Sequence, residues 1–463
     1  MLQMLHSDDL RNVFSQSMSE MYRQEVPQYQ ALIDLVDAVN AAAMASDPDL
    51  ADRLRATGDL DRMHVERHGA IRVGTAKELS TLRRLFAVMG MLPVGYYDLS
   101  VAGLPVHSTA FRPIAEAALA RNPFRMFTSL LRLDLIEDRD LAAEAEAILA
   151  RRTIFSARLL EMLELAEAQD GLTADEAAIF VEEALKTFKW HADATVSADT
   201  YRRLHDAHRL LADVVCFGGP HINHLTPRTL DIDAAQAEMP RHGIAAKAVI
   251  EGPPRRVASV LLRQTSFRAL REKIAFVDED GRSEGAHTAR FGEIEQRGVA
   301  LTRKGRQLYD EVLSAARAAV AVDPVGRGSD GYDAELARRF AVFPADWDSL
   351  RRAGLAFFKY RAAKLASTTP AADVDALIER GDLIADPLVY EDFLPVSAAG
   401  IFQSNLGSDA QTNFASHANQ TAFEAALGAP VIDEFGLYER TECDSLTAAL
   451  ATLGQSRLLS VHA

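Results

Sequence analysis

His68, His224 and Glu293 are the residues of this chain whose types and places could together hold a metal ion. Each lies in a short strand-like run: "HVERHGAIRVGT" (His64–Thr75), "VVCFGGPHINHLTPRTLDI" (Val214–Ile232) and "ARFGEIEQRG". Two imidazoles and one carboxylate form the facial set that suits ferrous iron and leaves adjacent coordination positions open. Open positions are what make such a site catalytic. The third run also carries Glu295 and Arg297, and strand alternation turns Glu293, Glu295 and Arg297 to one face. Two bland readings compete. That face could simply be solvated, and His221, three residues before His224, could be the ligand in its place.

Positioning these residues takes two strand-bearing units. Residues 1–59 read as a helical region, with apolar positions recurring at three and four in "YQALIDLVDAVNAAAMA". Residues 60–112 read as a β-α-β-β-β module: the run around His68, an amphipathic helix stopped by Gly90, then strands in "PVGYYDLS" and "VAGLPVHSTAFRPI". Residues 113–213 read as a helical insertion, with a capping box from Thr173 to Glu176. Residues 214–300 read as a second β-α-β-β-β module, with strands also in "AAKAVIEGP" and "VASVLLRQTSFRA". Residues 301–463 are mostly helical, with a loop at 391–409. The expected class is α+β, with paired modules curving around a metal.

A faint echo links the modules: "HGAIR" (His68–Arg72) and "HLTPR" (His224–Arg228) share His-x-x-x-Arg. Strand residues four apart face the same side, so each module is expected to offer a histidine and an arginine to its concave face. Pro227 marks its strand as an edge or a bulge.

Composition narrows the partners. A formal net charge of −16 opposes nucleic acid and anionic lipid. The basic cluster Arg303, Lys304 and Arg306 directly follows the Glu293 strand and reads as an exposed helix start, not a DNA reader. Cys216 and Cys443 fit no zinc pattern or disulfide framework. No apolar run approaches the roughly 20 residues of a membrane helix. The first residues lack the features of a secretory signal, so the expected location is cytoplasmic.

The run "FGEIEQRG" is similar to the segment that ends the catalytic half of 4-hydroxyphenylpyruvate dioxygenases, within the vicinal oxygen chelate superfamily. Together "HGAIRVGT", "FGGPHINHLTPRTLDID", "RFGEIEQRGVALT" and "YEDFLPVSAAGIFQSNL" resemble the 2-oxoadipate dioxygenase/decarboxylase family, the hydroxyglutarate synthases. The resemblance implies a non-haem Fe(2+) enzyme of lysine catabolism that converts 2-oxoadipate and O2 to D-2-hydroxyglutarate and CO2. It places the metal ligands on His68, His224 and Glu293, and substrate contacts on His68, Arg72 and Val396, with Ser397 adjacent. Glu295 then becomes an outer residue. Arg72, on the face of His68, can grip a distal carboxylate with its planar fork; pairing with Glu66 at the surface is the competing role. Gln264 and Arg268 are weaker candidates, and "GIFQSN" is a possible lid. The alternatives are another superfamily metalloenzyme, such as an extradiol dioxygenase or a non-redox lyase, and a metal-free interaction protein.

Overall fold

The periodicity at the N-terminus is realised in three consecutive helices, Ser7–Glu25, Gln28–Ser46 and Pro48–Thr57. In the first, Leu10, Phe14, Met18 and Tyr22 are buried along one face. Each such side chain contributes about 1.5–3 kcal/mol on burial, so packing more than propensity holds the helix. The computed structural model describes residues 3–278, 281–320, 329–363, 370–394 and 416–461. Two compact units divide the chain: Met1–Ile250 with Gln264–Glu295 and Phe393–Ile432, and Glu251–Arg263 with Gln296–Asp392 and Asp433–Ala463. His68, His224 and Glu293 all belong to the first.

The first unit opens with β1 (Met4–Leu5) and contains β2 (Arg67–Val73), β3 (Leu92–Asp98), β4 (Val106–Arg112), β5 (Arg125–Leu131), β6 (Leu172–Thr173) and β7 (Leu225–Pro227). Strands β1 and β6 pair with each other, while the main sheet runs β3-β4-β5-β2-β7. Strands β2 and β5 are parallel, and the connection between them contains the helix Ala76–Val88, capped by Thr75 and Glu78 in a capping box. Strand β7 closes the other side of β2, antiparallel, with Thr226 opposite His68. Alternation along β2 is clean. Ile71 and Val73 enter the apolar cluster shared with the N-terminal helices, while Ala70 enters the cluster on the opposite face, so His68 and Arg72 also lie on that face.

Then follow β8 (Leu262–Ser266), β9 (Arg271–Asp278), β10 (Gly281–Thr288) and β11 (Glu293–Arg297). Strands β9 and β10 form a hairpin of their own, and β8 pairs with β11. A parallel bridge between Arg228 and Glu295 links the segment after β7 to β11. In the second unit β12 (Phe358–Ala362) and β13 (Leu383–Pro387) pair antiparallel, with the helix Glu434–Thr452 packed on β12. Among the described residues no helix is long and apolar enough to cross a membrane.

The mixed α+β class stands, with differences in the strands. Strand β5 lies inside the stretch 113–213 read as helical: its seven residues are all buried, and a strand covered on both faces loses the period-two signal. In the second module "AAKAVIEGP" forms no strand, only isolated bridges, one of them from Ala246 to Phe267, and the β9–β10 hairpin supplies the extra pair.

Three main-chain bonds stitch the ligand-bearing segments into a row. The Asn223 N–H donates to the Ala70 carbonyl (2.9 Å), and the Phe291 N–H donates to the Asn223 carbonyl (3.0 Å). The Thr229 N–H donates to the Glu295 carbonyl (2.7 Å). From the first helix, the buried Tyr22 hydroxyl donates to the Phe291 carbonyl (2.7 Å), with the Asn223 carbonyl at 3.1 Å. Gly292 allows the tight approach, since a Cβ there would lie 2.0 Å from the Phe267 ring. Gly292→Ala should therefore destabilise the fold by about 1–3 kcal/mol through overpacking. It should also weaken metal binding, since Glu293 is the next residue. Urea denaturation and metal titration would check both, and unchanged stability would show that Phe267 can yield.

Candidate metal centre

His68 comes from β2, His224 from the residue before β7, and Glu293 from the first position of β11, so adjacent strands carry the three side chains to one point. All three have no exposed surface, and one donor atom from each lies within 4.8 Å of the others. Glu293 Oε1 is 3.1 Å from His68 Nε2 and 3.9 Å from His224 Nδ1. The two imidazoles meet edge to face, with centroids 5.3 Å apart.

Hydrogen bonds around the ligands fix their orientation. The Thr226 hydroxyl donates to Glu293 Oε1 (3.1 Å) and sits 2.9 Å from His224 Nδ1. Its one proton goes to the carboxylate, so the imidazole N–H must be at Nδ1, which leaves the Nε2 lone pair bare. The Gln264 side-chain amide donates to the same Oε1 (2.8 Å). Behind His68, Glu295 Oε2 lies 3.1 Å from Nδ1. The contact is an ion pair and not a formed hydrogen bond, on the side of the ring where metal-binding imidazoles take their outer carboxylate.

The donor set fits a metal. His224 Nε2 and Glu293 Oε2 are buried atoms without a hydrogen-bond partner among the described residues, and such atoms are costly unless something completes them. Burial pushes the Glu293 carboxyl up, against the pull of His68. Burial opposes protonation of His68, but Glu295 and Glu293 outweigh it and raise its pKa. Burial, with His68 and Arg72 nearby, holds His224 well below the ordinary histidine range, so it stays a neutral ligand. Phe393 lies edge-on to His68 with centroids 4.9 Å apart, and Phe291 stacks on His224 at 4.8 Å. These rings pack directly against the two imidazoles.

Other expectations fall differently. Glu295 is buried, so the solvated-face reading of β11 fails. His221 lies 3.2 Å from Asp213, in a separate cluster with His287, and is not grouped with His68 and Glu293. Arg72 is buried and gives Nη1 to Asp213 Oδ2 at 2.6 Å, so the surface pairing with Glu66 is also wrong. Arg228 lies just past β7 and bonds Glu66 (3.0 Å) and Asp59 (3.4 Å). It does not repeat the role of Arg72, because the strand that would align it ends at Pro227. Arg268 is exposed. Val396 and Ser397 lie outside the described residues. Thr226 was missed, though its place two residues after a histidine on a strand was the available signal. Asp213 was missed too, hidden in the apolar run "LLADVVCF".

Two buried imidazoles and a carboxylate whose donor atoms converge are the donor set of a mononuclear metal site. Comparison with known proteins makes this specific. A family model described as 2-oxoadipate dioxygenase/decarboxylase matches residues 14–405. The chain is 57% identical over 451 residues to the 2-oxoadipate dioxygenase/decarboxylase of Pseudomonas putida, covering 96% of this chain and 97% of that one. It is 56% identical over 443 residues to the Escherichia coli protein of the same description, covering 94% and 96%. The crystal structure of hydroxyglutarate synthase from Pseudomonas putida in complex with 2-oxoadipate superposes with a TM-score of 0.90 at 54% identity, over 97% of this chain and 99% of that chain. The chain belongs to the 2-oxoadipate dioxygenase/decarboxylase family. It is an enzyme, and the metal-free interaction protein is set aside.

The geometry around Glu293 separates ligand from support. His224→Ala and Glu293→Gln should each abolish tight binding of one divalent ion per chain. Thr226→Val and Glu295→Gln should cost roughly 10- to 100-fold in metal affinity, as removal of outer partners does. Titration of apo-protein with Fe(II) under argon would read all four. Wild-type affinity in His224→Ala would overturn the ligand set.

Proposed function

We propose that the chain binds one ferrous ion through His68, His224 and Glu293 and converts 2-oxoadipate and O2 to D-2-hydroxyglutarate and CO2. The atoms balance: a six-carbon oxo diacid and two oxygen atoms give a five-carbon hydroxy diacid and CO2. The observation that carries the reading is the pair of bare buried atoms, His224 Nε2 and Glu293 Oε2, within a family of 2-oxoadipate dioxygenases. A ferrous ion there supplies Lewis acidity toward the 2-oxo acid head and the redox capacity that O2 chemistry needs.

The protein's own groups do the rest. Thr226 and Gln264 hold Oε1 of Glu293, so the carboxylate presents its other oxygen inward. Glu295 behind His68 keeps that imidazole oriented. Phe393 and Phe291 pack against the two imidazoles and would keep water from the site. Arg72, four residues along β2 on the face of His68, takes the distal carboxylate and fixes which methylene faces the centre. The family resemblance adds substrate contacts at Val396 and Ser397.

Charge at the far end sets the test. Removing Arg72 should cost roughly 2–5 kcal/mol when it strands a desolvated carboxylate, about 30- to 5,000-fold in kcat/KM for 2-oxoadipate. The oxo acid 2-oxohexanoate, which lacks the distal carboxylate, should react poorly with wild type and lose little more in Arg72→Ala. Arg72→Lys should restore part of the rate, since a point charge cannot reproduce the fork. Anaerobic loading with Fe(II) and substrate followed by air would measure turnover. Equal losses on both substrates would move the clamp elsewhere.

A further inference from the structure

A second group of metal-type side chains is buried in the first unit: Asp213, His221 and His287. Asp213 sits in the helix Arg209–Val215, between Leu210, Leu211, Ala212, Val214 and Val215, all buried. A carboxylate in that setting must be fully paired. Its Oδ2 accepts from Arg72 Nη1 at 2.6 Å, and its Oδ1 lies 3.0 Å from His287 Nε2 and 3.2 Å from His221 Nε2. The Tyr201 hydroxyl lies 2.9 Å from His287 Nδ1. The ring nitrogen facing a carboxylate carries the proton, so His287 donates through Nε2 and accepts from Tyr201 at Nδ1. Trp190 stacks parallel to His287, with centroids 6.2 Å apart and planes 17° apart, which sets the plane of that imidazole.

We propose that Asp213 is the positioning residue for the substrate's distal carboxylate: it fixes the guanidinium fork of Arg72, and His287 and Tyr201 in turn fix Asp213. This inference rests on the Arg72 reading above. An arginine side chain loses much rotamer freedom when it grips a ligand. A carboxylate already bonded to one terminal nitrogen removes that freedom beforehand and orients the planar fork. Burial would push the Asp213 carboxyl up, but Arg72 and His221 outweigh it and hold it well below the usual range, so the anchor stays charged. The alternative use of the three donors, a second metal ion, conflicts with a guanidinium on the same carboxylate and with a proton on His287 Nε2.

The test uses iron-loaded full-length wild type, Asp213→Asn and Tyr201→Phe. Steady-state rates and anaerobic calorimetric binding are read with 2-oxoadipate and with 2-oxohexanoate. Asp213→Asn should raise KM and Kd for 2-oxoadipate roughly 10- to 100-fold, the scale of losing an orienting outer partner. The change in kcat should be smaller, and binding of 2-oxohexanoate should hardly move. Tyr201→Phe should shift the same values in the same direction by a few fold. It carries the comparison if Asp213→Asn does not fold. A wild type with no preference for the diacid refutes the Arg72 reading itself. A preference that survives both variants, or equal losses on both substrates, refutes only the role of Asp213. A second equivalent of bound metal that disappears in Asp213→Asn would overturn it in favour of a metal site.

Discussion

A carboxylate without exposed surface is among the most expensive groups a protein interior can hold, several kcal/mol even after relaxation. Glu293 is such a group. Its Oε1 has three neighbours, His68, Thr226 and Gln264, while Oε2 has none among the described residues. That asymmetry is the constraint on which the surrounding structure depends. One oxygen is tied while the other is left without a hydrogen-bond partner, and a dication there would offset the burial. The row of main-chain bonds from Ala70 through Asn223 to Phe291 keeps β2, the His224 segment and β11 in step, so that arrangement is not lost to strand slippage.

The same physics decides what could be read from sequence. His68 and Glu293 were legible because each sits on a strand with period two, and a charged residue that alternates with buried Ile71 or Ile294 has a defined face. The choice of His224 over His221 rested on the faint His-x-x-x-Arg echo and the family resemblance, since three residues separate two imidazoles in an irregular Gly- and Pro-rich stretch. Only the folded chain sends one to Glu293 and the other to Asp213. Strand β5 was illegible for a different reason. Arg125–Leu131 is buried throughout, and a run buried on both faces reads equally well as helix or strand.

The repeated His-x-x-x-Arg pattern shows how a true echo can mislead. Both histidines reach the candidate metal centre, but the arginines part ways. Arg72 stays on β2, whereas Pro227 ends β7 and sends Arg228 into a buried ionic network with Glu66 and Asp59. Arg125 joins the same Glu66 at 3.0 Å. Buried networks of this kind contribute little net stability over apolar packing, and breaking one partner costs far more than forming the pair gained. Their effect is on specificity of arrangement: Glu66 ties β5, the segment after β7 and the start of β2 into one geometry.

The face of β2 therefore carries three electrostatic tasks in order along one strand. Glu66, just before it, is neutralised by arginines and is structural. His68 lies between two carboxylates, Glu293 and Glu295, at a point of negative potential suited to a dication. Arg72 lies beyond, backed by Asp213, so its single positive charge is oriented but partly compensated. A partly compensated cation discriminates by geometry more than by net attraction, because a misplaced anion meets Asp213 as well as Arg72. A diacid chelated at one end presents its second carboxylate at a length set by its carbon chain. With the clamp proposed above, the spacing from His68 to Arg72 along β2 would set which chain length fits.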